Sequence, residues 1–420
     1  MIREIEFSII ITNVPIESRF PMPIKSESIL LHETVRGKIE MISRVRVDNA
    51  HDLSVAYTPG VAEPCLEIQK NPELSYLYTR RHNTIAVITD GTAVLGLGDI
   101  GPEAGMPVME GKAVLFKTFG GVDAIPLCIR SKNPDEIVQT IALLAGSFGG
   151  INLEDISAPR CFEIEKRLKA ICDIPVFHDD QHGTAVVVGA ALMNALKVVG
   201  KTLDHIRLVI NGAGAAGQAI ADYLLALGVR DLIVCDRLGI ISETDETLSP
   251  AHKELAKRTN RSFQTGLLAD ALKNADVFIG VSGPNCVTKD MIQAMNSKAI
   301  VFPLANPIPE ISRIDAIAAG AEIVGTGSSK NPNQINNVLA FPGIFRGTLD
   351  VRASDINHAM MIAASQAIAS SVTDSELNAN HIIPAAFDLS VHQKVAAAVS
   401  AAAIASGVAR LMGLPTIDNT

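Results

Sequence analysis

Two pairs of acidic residues are the first candidates for chemistry in this sequence of 420 residues. Glu154 and Asp155 follow one short apolar run, and Asp179 and Asp180 follow another. If both runs are strands of a parallel sheet, their carboxyl ends open onto one crevice, where the carboxylates can converge on a divalent cation. Ligation by oxygen alone suits Mg²⁺ or Mn²⁺ better than zinc. Helix caps and solvated loop charges are the alternative interpretation of the two pairs.

Tyr57 and Lys112 form a second candidate pair. Each lies in a stretch that is rich in glycine and proline and otherwise apolar. A lysine that is partly desolvated and close to a cation has a lowered pKa, so it can act as a base near neutral pH with a neighbouring tyrosine as its proton partner. A lysine with a buried stem beside a packed tyrosine is the simpler alternative.

A glycine-rich loop is the third candidate site. It consists of Gly212, Ala213, Gly214, Ala215, Ala216 and Gly217. The loop has G-x-G-x-x-G spacing between an apolar run and a helical one, as in loops that hold a pyrophosphate at a helix N-terminus. Asp236 ends the next predicted strand, where a carboxylate accepts both hydroxyls of an adenosine ribose and repels a 2′-phosphate. The pattern predicts NAD as the cofactor, although the neighbouring Arg237 would suit the 2′-phosphate of NADP.

The composition argues against other classes of protein. Lys and Arg number 36 against 45 Asp and Glu, and this net charge of −9 disfavours a nucleic-acid partner, which needs clustered cations. The six cysteines include no C-x-x-C pair, so we expect reduced thiols in a cytoplasmic protein. The small-apolar stretch at 395–409 is mostly alanine, so we expect a packed helix and no membrane span.

The elements that must position these residues alternate along most of the chain. Residues 1–25 show no clear period and are interpreted as a leader of unknown role. Between 30 and 182, short apolar runs such as Thr84–Thr89 alternate with helical patterns. From 183 to 345 the alternation is more regular, with strands predicted at 207–211, 232–236, 277–281, 299–304 and 322–325.

We therefore predict an α/β fold class with two domains. Residues 1–182 would form an α/β domain that binds substrate and metal. Residues 183–420 would form a Rossmann-type domain with a doubly wound parallel sheet. Its alanine-rich tail, from about 350, would be helical, with Pro384 between two helices, and would pack back across both domains.

Taken together, these segments resemble the malic enzyme family in its shorter bacterial form. In family order, the motifs are Tyr57-Thr-Pro-Gly-Val-Ala62, the run from Thr89-Asp-Gly91 to Gly101, Glu110-Gly-Lys-Ala113, Asn152-Leu-Glu-Asp155, Phe177-His-Asp-Asp-Gln-His-Gly-Thr184, the loop 212–217, Ala305-Asn-Pro307 and Asn336-Asn-Val338. They extend over nearly the whole chain, from about 35 to 410. Several long motifs in the same order are far more specific than any single one.

The resemblance implies a metal site and an acid–base pair. Glu154, Asp155 and Asp180 would bind Mn²⁺ or Mg²⁺, with Asp179 beside these ligands. Lys112 would be the general base and Tyr57 the general acid.

The resemblance also implies the remaining contacts and the reaction. Asn306 matches a position at the substrate or the nicotinamide end of the cofactor, and Asn337 matches a substrate position. The implied activity is the oxidative decarboxylation of L-malate, through oxaloacetate, to pyruvate and CO₂ with reduction of NAD(P), in a homodimer. The residue that binds the substrate carboxylate stays open.

Other activities on the same plan are an oxaloacetate decarboxylase and a redox-neutral malolactic enzyme. The intact loop at 212–217 favours cofactor use, and the short chain is atypical of malolactic enzymes, which resemble the long form of the family. An amino-acid dehydrogenase would carry a glycine-rich lysine motif, but Gly120 and Gly121 are followed here by Val122 and Asp123. A non-catalytic relative would be expected to lack a metal ligand or Lys112.

Overall fold

A computed structural model of the chain describes residues 26–94 and 96–412. The predicted leader, 1–25, lies outside the described residues. Residues up to 40 form one compact unit, and residues from 41 onward form a second. In the first unit the structure describes helix α1 (Glu27–Val35), which begins after the N-cap Ser26.

The first sheet of the larger unit has four parallel strands in the order β2-β1-β3-β4. These strands are β1 (Thr84–Thr89), β2 (Asp123–Cys128), β3 (Gly150–Leu153) and β4 (Val176–His178). β1, β3 and β4 are buried along their whole length, as expected for a parallel sheet between two layers of helices. The carboxyl ends of β3 and β4 are neighbours, and the two acidic pairs follow these ends.

The second sheet has six strands in the order β10-β9-β8-β5-β6-β7. These strands are β5 (Arg207–Asn211), β6 (Asp231–Asp236), β7 (Gly239–Ile240), β8 (Val277–Gly280), β9 (Ala299–Pro303) and β10 (Ala321–Val324). All are parallel except β7, a two-residue edge strand that the sequence pattern did not predict. The other five lie within one residue of their predicted bounds. The strand order reverses between β5 and β8, and such a reversal is the usual place for a ligand crevice.

The remaining helices pack on both faces of the sheets. In chain order they are α2 (Ala50–Ala56), α3 (Ala62–Lys70), α4 (Ser75–Tyr78), α5 (Pro102–Gly120), α6 (Pro134–Leu144), α7 (Arg160–Ile171), α8 (Thr184–Val199), α9 (Ala215–Leu227), α10 (Pro250–Thr259), α11 (Leu268–Leu272), α12 (Lys289–Gln293), α13 (Arg313–Ala318), α14 (Phe341–Asp350), α15 (His358–Ala369) and α16 (Leu389–Ala405). Ile85 and Val87 of β1 belong to one core cluster, and Ala86 and Ile88 to another. This alternation gives each sheet face its own core.

The C-terminal helices hold the two sheets together. Helix α14 packs against α5 of the first half, and both α14 and α15 pack against α16. Helix α15 also packs against α8. The predicted α/β class and the helical tail that packs back are therefore confirmed, with Pro384 between α15 and α16 as expected.

Helix α8 is continuous with a π-helical turn, Asp179–Gly183, in which the predicted domain boundary at 182 falls. Within the described residues, Asp179–Val199 is the one helical stretch long and apolar enough to cross a membrane. Most of this stretch, 72% of its apolar window, is buried in the protein interior. Burial of this kind is typical of the core helix of a folded domain.

Candidate active site

The two acidic pairs meet at the carboxyl ends of β3 and β4. The backbone N–H of Glu154 donates to Ile88 O at 2.9 Å, which continues the pairing of β3 with β1. The backbone N–H of Asp155 donates to Asp180 Oδ2 at 2.7 Å. Asp155 O accepts from the backbone N–H of Ala93 at 2.9 Å. These bonds hold Asp155 in a left-handed conformation, with φ of 54°, that is uncommon outside glycine and is often found at functional sites.

Glu154, Asp155 and Asp180 form a cluster that could hold a metal ion. Each offers one carboxylate oxygen, and these three oxygens all lie within 4.8 Å of one another. Glu154 and Asp155 are buried, whereas the side chain of Asp180 is 34% exposed. The cluster is therefore closed on the side of the sheet and open at Asp180.

Lys112, on α5, lies against this cluster. Its Nζ is 2.6 Å from Asp179 Oδ2 and 2.8 Å from Glu154 Oε1, and the side chain is only 8% exposed. The ammonium group also lies over the ring of Phe341, 4.1 Å from the ring centroid, in a cation–π contact. The first residue of α14 thus closes the lysine site.

Asp179 connects Lys112 to Asn337. Asp179 is fully buried, and its Oδ2 accepts both from Lys112 Nζ and from Asn337 Nδ2, each at 2.6 Å. A Cβ atom on Gly183 would lie 1.8 Å from Asp179 Oδ1, so only glycine leaves room for the carboxylate there. Asn152 Nδ2 donates to Glu154 Oε2 at 2.8 Å and so supports Glu154. The sequence analysis did not predict this contact, although Asn152 is the first residue of one of its motifs.

The site holds more acidic than basic groups, and this imbalance is seen in their pKa values. Desolvation raises the pKa values of Glu154 and Asp179 to about 7 and that of Asp180 to about 6, against the opposing charge of Lys112. Desolvation by itself would lower the pKa of Lys112, but Asp179, Glu154 and Asp180 outweigh it and raise this pKa above its ordinary value.

The raised pKa corrects the sequence-based expectation that Lys112 has a lowered one. In the arrangement of protein groups alone, Lys112 is a protonated ion-pair partner, because the carboxylates around it stabilise its charge. A divalent cation on the three clustered carboxylates would offset that stabilisation. The role of Lys112 as a base stays a prediction.

The donor set fits a hard divalent cation. The carboxylates of Glu154, Asp179 and Asp180 act on one ammonium group, and Asp179 Oδ1, although buried, finds no hydrogen-bond donor among the described residues. The metal-ligand candidates are all oxygen atoms, as Mg²⁺ and Mn²⁺ prefer. His178 and His182 stand outside the cluster. His182 Nε2 is 2.8 Å from Glu165, and burial lowers the pKa of His178 to about 4, so that its ring is neutral.

Tyr57 follows α2 and is 66% exposed, and its hydroxyl makes no hydrogen bond within the described part of the chain. No hydrogen bond therefore joins Tyr57 to Lys112 among the described residues, and the role of Tyr57 stays a prediction.

The glycine-rich loop opens onto a cavity of about 920 Å³ at the carboxyl edge of the second sheet. Gly212, Ala213 and Gly214 line the cavity, and α9 begins directly after them. Gly212 has φ of 121°, and a Cβ atom on Gly217 would lie 1.7 Å from Gly212 O. Glycine is thus required for the turn at 212 and for the close approach of helix to loop at 217.

Asp236 and Arg237 line the same cavity at the end of β6. Asp236 Oδ1 accepts from the backbone N–H of Leu238 at 2.7 Å, and its Oδ2 lies 3.8 Å from His252 Nδ1. His252 and the N-cap Ser249 of α10 complete this side of the cavity. The sequence analysis predicted neither His252 nor Ser249, because the segment between β6 and α10 carries no recognisable motif.

The loop after β3 contributes residues both to this cavity and to the acidic cluster. Ala158 and Pro159 form part of its wall and belong to the loop after β3 that carries Glu154 and Asp155. Asn306 is not among the described residues that line the cavity. It lies in the loop after β9, where a Cβ atom on Gly327 would approach its Nδ2 to 2.7 Å.

Comparison with known proteins agrees with this arrangement. The family profile of the malic enzyme N-terminal domain matches residues 36–134 and 129–169, and that of the malic enzyme NAD binding domain matches 181–404. The chain is 56% identical to the bifunctional malic/malolactic enzyme of Bacillus subtilis, over 93% of this chain and 95% of that one. It is 53% identical to the NAD-dependent malic enzyme of Geobacillus stearothermophilus, over 93% and 81% of the two chains.

A solved structure agrees as well. The crystal structure of the NAD-dependent malic enzyme of Thermotoga maritima superimposes with a TM-score of 0.87 at 47% identity, over 90% of this chain and 99% of that one. The chain belongs to the malic enzyme family, and its second sheet lies in the NAD-binding domain. Its relatives include NAD-dependent and NADP-dependent enzymes.

We expect Mn²⁺ to raise the Tm of the protein, and we expect this shift to shrink as the pH is lowered from above 7 to below 6. Protons compete with the cation for Glu154, with a pKa of about 7, and for Asp180, with a pKa of about 6, so the ligands are lost as the pH falls through these values. Thermal denaturation with and without MnCl₂ at both ends of this range measures the effect. Asp180→Asn should abolish the shift, whereas an equal shift at both pH values would contradict the competition.

Proposed function

We propose that the protein catalyses the oxidative decarboxylation of L-malate to pyruvate and CO₂, with reduction of NAD(P) and dependence on Mn²⁺ or Mg²⁺. One observation carries the proposal: the loop after β3 supplies both the clustered carboxylates Glu154 and Asp155 and, through Ala158 and Pro159, a wall of the dinucleotide cavity. A substrate held at the cluster would then be close to the cofactor site. Such proximity is the first requirement of hydride transfer.

The residues divide the chemistry between them. Glu154, Asp155 and Asp180 would hold the cation, which when bound polarises the oxygen atoms of the substrate as a Lewis acid. Lys112 would take the proton of the C2 hydroxyl, and the nicotinamide cofactor, when bound, would supply the acceptor for the hydride of C2. The resulting oxaloacetate loses its C4 carboxylate as CO₂, and the electron pair that stays at C3 is protonated by Tyr57.

The asparagines and Asp179 position these groups. Asp179 holds Lys112 Nζ at 2.6 Å and orients it towards the cluster. Asn337, bonded to the same oxygen of Asp179, presents its amide beside the substrate. Asn306 would contact the substrate or the nicotinamide end. Residues 1–182 would serve as the substrate and metal domain, and 183–420 as the cofactor domain.

The name of the Bacillus subtilis relative favours malolactic activity as a second candidate function. The length of this chain does not argue against it, because the chain covers 95% of that relative. In a malolactic reaction, the hydride returns from the reduced cofactor to C2 of pyruvate, and the products are lactate and CO₂. The same residues would serve both reactions.

The deciding experiment incubates the purified protein with L-malate and Mn²⁺, with NAD or NADP in parallel, and measures reduced cofactor, CO₂, pyruvate and lactate. Equal amounts of reduced cofactor, pyruvate and CO₂ are expected. Lactate and CO₂ without reduced cofactor would establish the malolactic reaction instead. CO₂ from oxaloacetate but not from malate would leave only a decarboxylase.

Lys112→Ala should lower kcat for malate oxidation by about 10²- to 10⁴-fold, because a general base is lost. The Kd for NADH should not change, since Lys112 contacts the acidic cluster and not the cavity. Lys117→Ala is the matched control, because Lys117 lies on the same helix, is exposed and pairs with Asp123. Malate turnover by Lys112→Ala at the wild-type rate would refute its role as base.

The cofactor preference is proposed to be NAD, on the position of Asp236. Asp236→Ala should weaken NAD binding by about tenfold or more, as expected for the loss of a charged hydrogen-bond acceptor, and should improve NADP binding beside Arg237. Equilibrium binding of both nucleotides measures the change. Asp231→Ala, at the other end of β6, is the control. An unchanged NAD affinity would remove Asp236 from the ribose site.

We also propose a homodimer in the cytoplasm, where the six free thiols would stay reduced. Apolar side chains are exposed along residues 41–78, among them Met41 (86%), Ile42 (76%) and Val55 (62%), a concentration typical of protein interfaces. In sedimentation velocity the protein should have twice the chain mass, and Val55→Asp should shift it towards the monomer. Leu143→Asp, an exposed position on α6, should leave the dimer intact, and a monomeric wild type would refute the proposal.

A further inference from the structure

Three loops leave adjacent strands of the second sheet at the cofactor cavity. β5, β8 and β9 are neighbours in the strand order. The loop after β5 carries the glycine motif, and the loop after β8 lines the cavity with Ser282, Gly283, Pro284 and Cys286. The loop after β9 carries Asn306. Backbone hydrogen bonds join the loops after β8 and β9, from Asn285 N–H to Pro309 O at 3.0 Å and from Val287 N–H to Glu310 O at 3.1 Å, and side chains add to this connection.

Glu310 joins two of the loops through its carboxylate. Its side chain is fully buried. Oε1 accepts from the backbone N–H of Ser282 at 2.8 Å and lies 3.3 Å from Ser282 Oγ, which donates to it. Oε2 accepts from the backbone N–H of Ala305 at 3.1 Å. One buried carboxylate thus binds a residue near the start of each loop.

Ser282 extends the connection to the third loop. Asn211 Nδ2 donates to Ser282 Oγ at 2.8 Å and to Cys286 Sγ at 3.3 Å. Asn211 ends β5 and directly precedes Gly212 of the glycine motif. A continuous chain of hydrogen bonds therefore runs from the glycine loop through Ser282 to Glu310 and on to Ala305.

The site is shaped for an acid at position 310. A Cβ atom on Gly280 would lie 2.4 Å from the carboxyl carbon of Glu310, so glycine at the end of β8 makes the space for it. The groups that face the two carboxylate oxygens are all hydrogen-bond donors. A carboxylate can accept a hydrogen bond from each of them, whereas an amide would place a donor of its own against one of them. Glu310 forms no ion pair with any described residue, so its burial is compensated by these loop donors alone.

The order of the strands indicates which part of the cofactor lies near this chain of hydrogen bonds. Asp236, at the end of β6, marks the adenosine ribose, and the glycine loop after β5 marks the pyrophosphate. The next strands in the same direction are β8 and β9. The nicotinamide half of the cofactor must therefore lie over the loops that Glu310 connects.

We propose that Glu310 is a positioning residue that fixes the loops after β8 and β9 for the nicotinamide half of the cofactor. The effect of Glu310 on nucleotide affinity depends only on the cavity, whereas its effect on catalysis rests on the function proposed above. Glu310 itself contacts neither cofactor nor substrate. It acts through Ser282 and through the backbone that leads to Asn306.

Glu310→Gln tests the proposal with little change of volume. The amide replaces one acceptor oxygen with a donor, which must face the N–H of Ser282 or that of Ala305. We expect the Kd for NADH to rise by about tenfold, the value expected for one unmade bond to a charged group. kcat for malate oxidation should fall as well, because the nicotinamide is misplaced. Decarboxylation of oxaloacetate with Mn²⁺ and without nucleotide should stay at the wild-type rate.

Asp276→Asn is the matched control. Asp276 precedes β8 at the opposite edge of the same sheet, where its Oδ2 accepts from the backbone N–H of Arg207 at 2.8 Å. Asp276 also pairs with Lys201 at 2.8 Å. Its replacement weakens carboxylate bonds far from the cavity, so Tm should fall without a change in the Kd for NADH. Ser282→Ala, which removes the hydroxyl bonds to Asn211 and Glu310 but keeps the backbone N–H bond to Glu310, should give a smaller rise in Kd and serves if Glu310→Gln does not fold.

Two results would overturn the role of Glu310. One is an unchanged Kd for NADH in both Glu310→Gln and Ser282→Ala. The other is a parallel loss of oxaloacetate decarboxylation and malate oxidation, because this would show a general structural role. If the wild type turns over neither substrate, the function proposed above fails, while the NADH affinities of the variants still decide whether Glu310 positions the loops.

Discussion

The site depends on a single buried ammonium group among carboxylates. Lys112 pairs at 2.6 and 2.8 Å with Asp179 and Glu154, and Asp180 also favours its charge. Buried charges are costly unless they are paired, and here desolvation keeps the pKa values of Glu154, Asp179 and Asp180 near neutrality. A divalent cation at this cluster would compensate these carboxylates and would weaken the hold on the lysine proton. In the function proposed above, metal binding and the basicity of Lys112 are therefore coupled electrostatically.

The acidic cluster and the dinucleotide cavity both form at the carboxyl ends of strands. The first sheet supplies Glu154, Asp155 and Asp180 from the ends of β3 and β4, and the second supplies the loops after β5, β6 and β8. The segment after β3 contributes residues to both. Helices α14, α15 and α16 pack against helices of both halves, and Phe341 of α14 covers Lys112. The helical tail thus contributes to the site and not only to the core.

The sequence predicted most of the framework, since strand periodicity and glycine spacing are local signals. Five strands of the second sheet and the contact between Glu154, Asp155 and Asp180 follow from such signals. The direction of the Lys112 pKa shift did not, because it depends on how many carboxylates the fold brings around one nitrogen atom. Glu310 and Ser282 are 28 residues apart, and no local pattern indicates their contact. The exposure of Tyr57 was equally unpredictable, because sequence order says nothing about how α2 is placed.

Asp155 has a further consequence through its main chain. Its N–H and C=O are both bound, to Asp180 and to Ala93, and its left-handed φ is maintained by these bonds. The backbone at Asp155 is thus set in place when the strands pair, and the conformational entropy of ordering it is lost during folding instead of during ion binding. A cation held here as proposed would meet a partly preorganised frame. Such a frame would favour the compact Mg²⁺ and Mn²⁺ ions over Ca²⁺, which takes more oxygen ligands at longer distances from flexible chains.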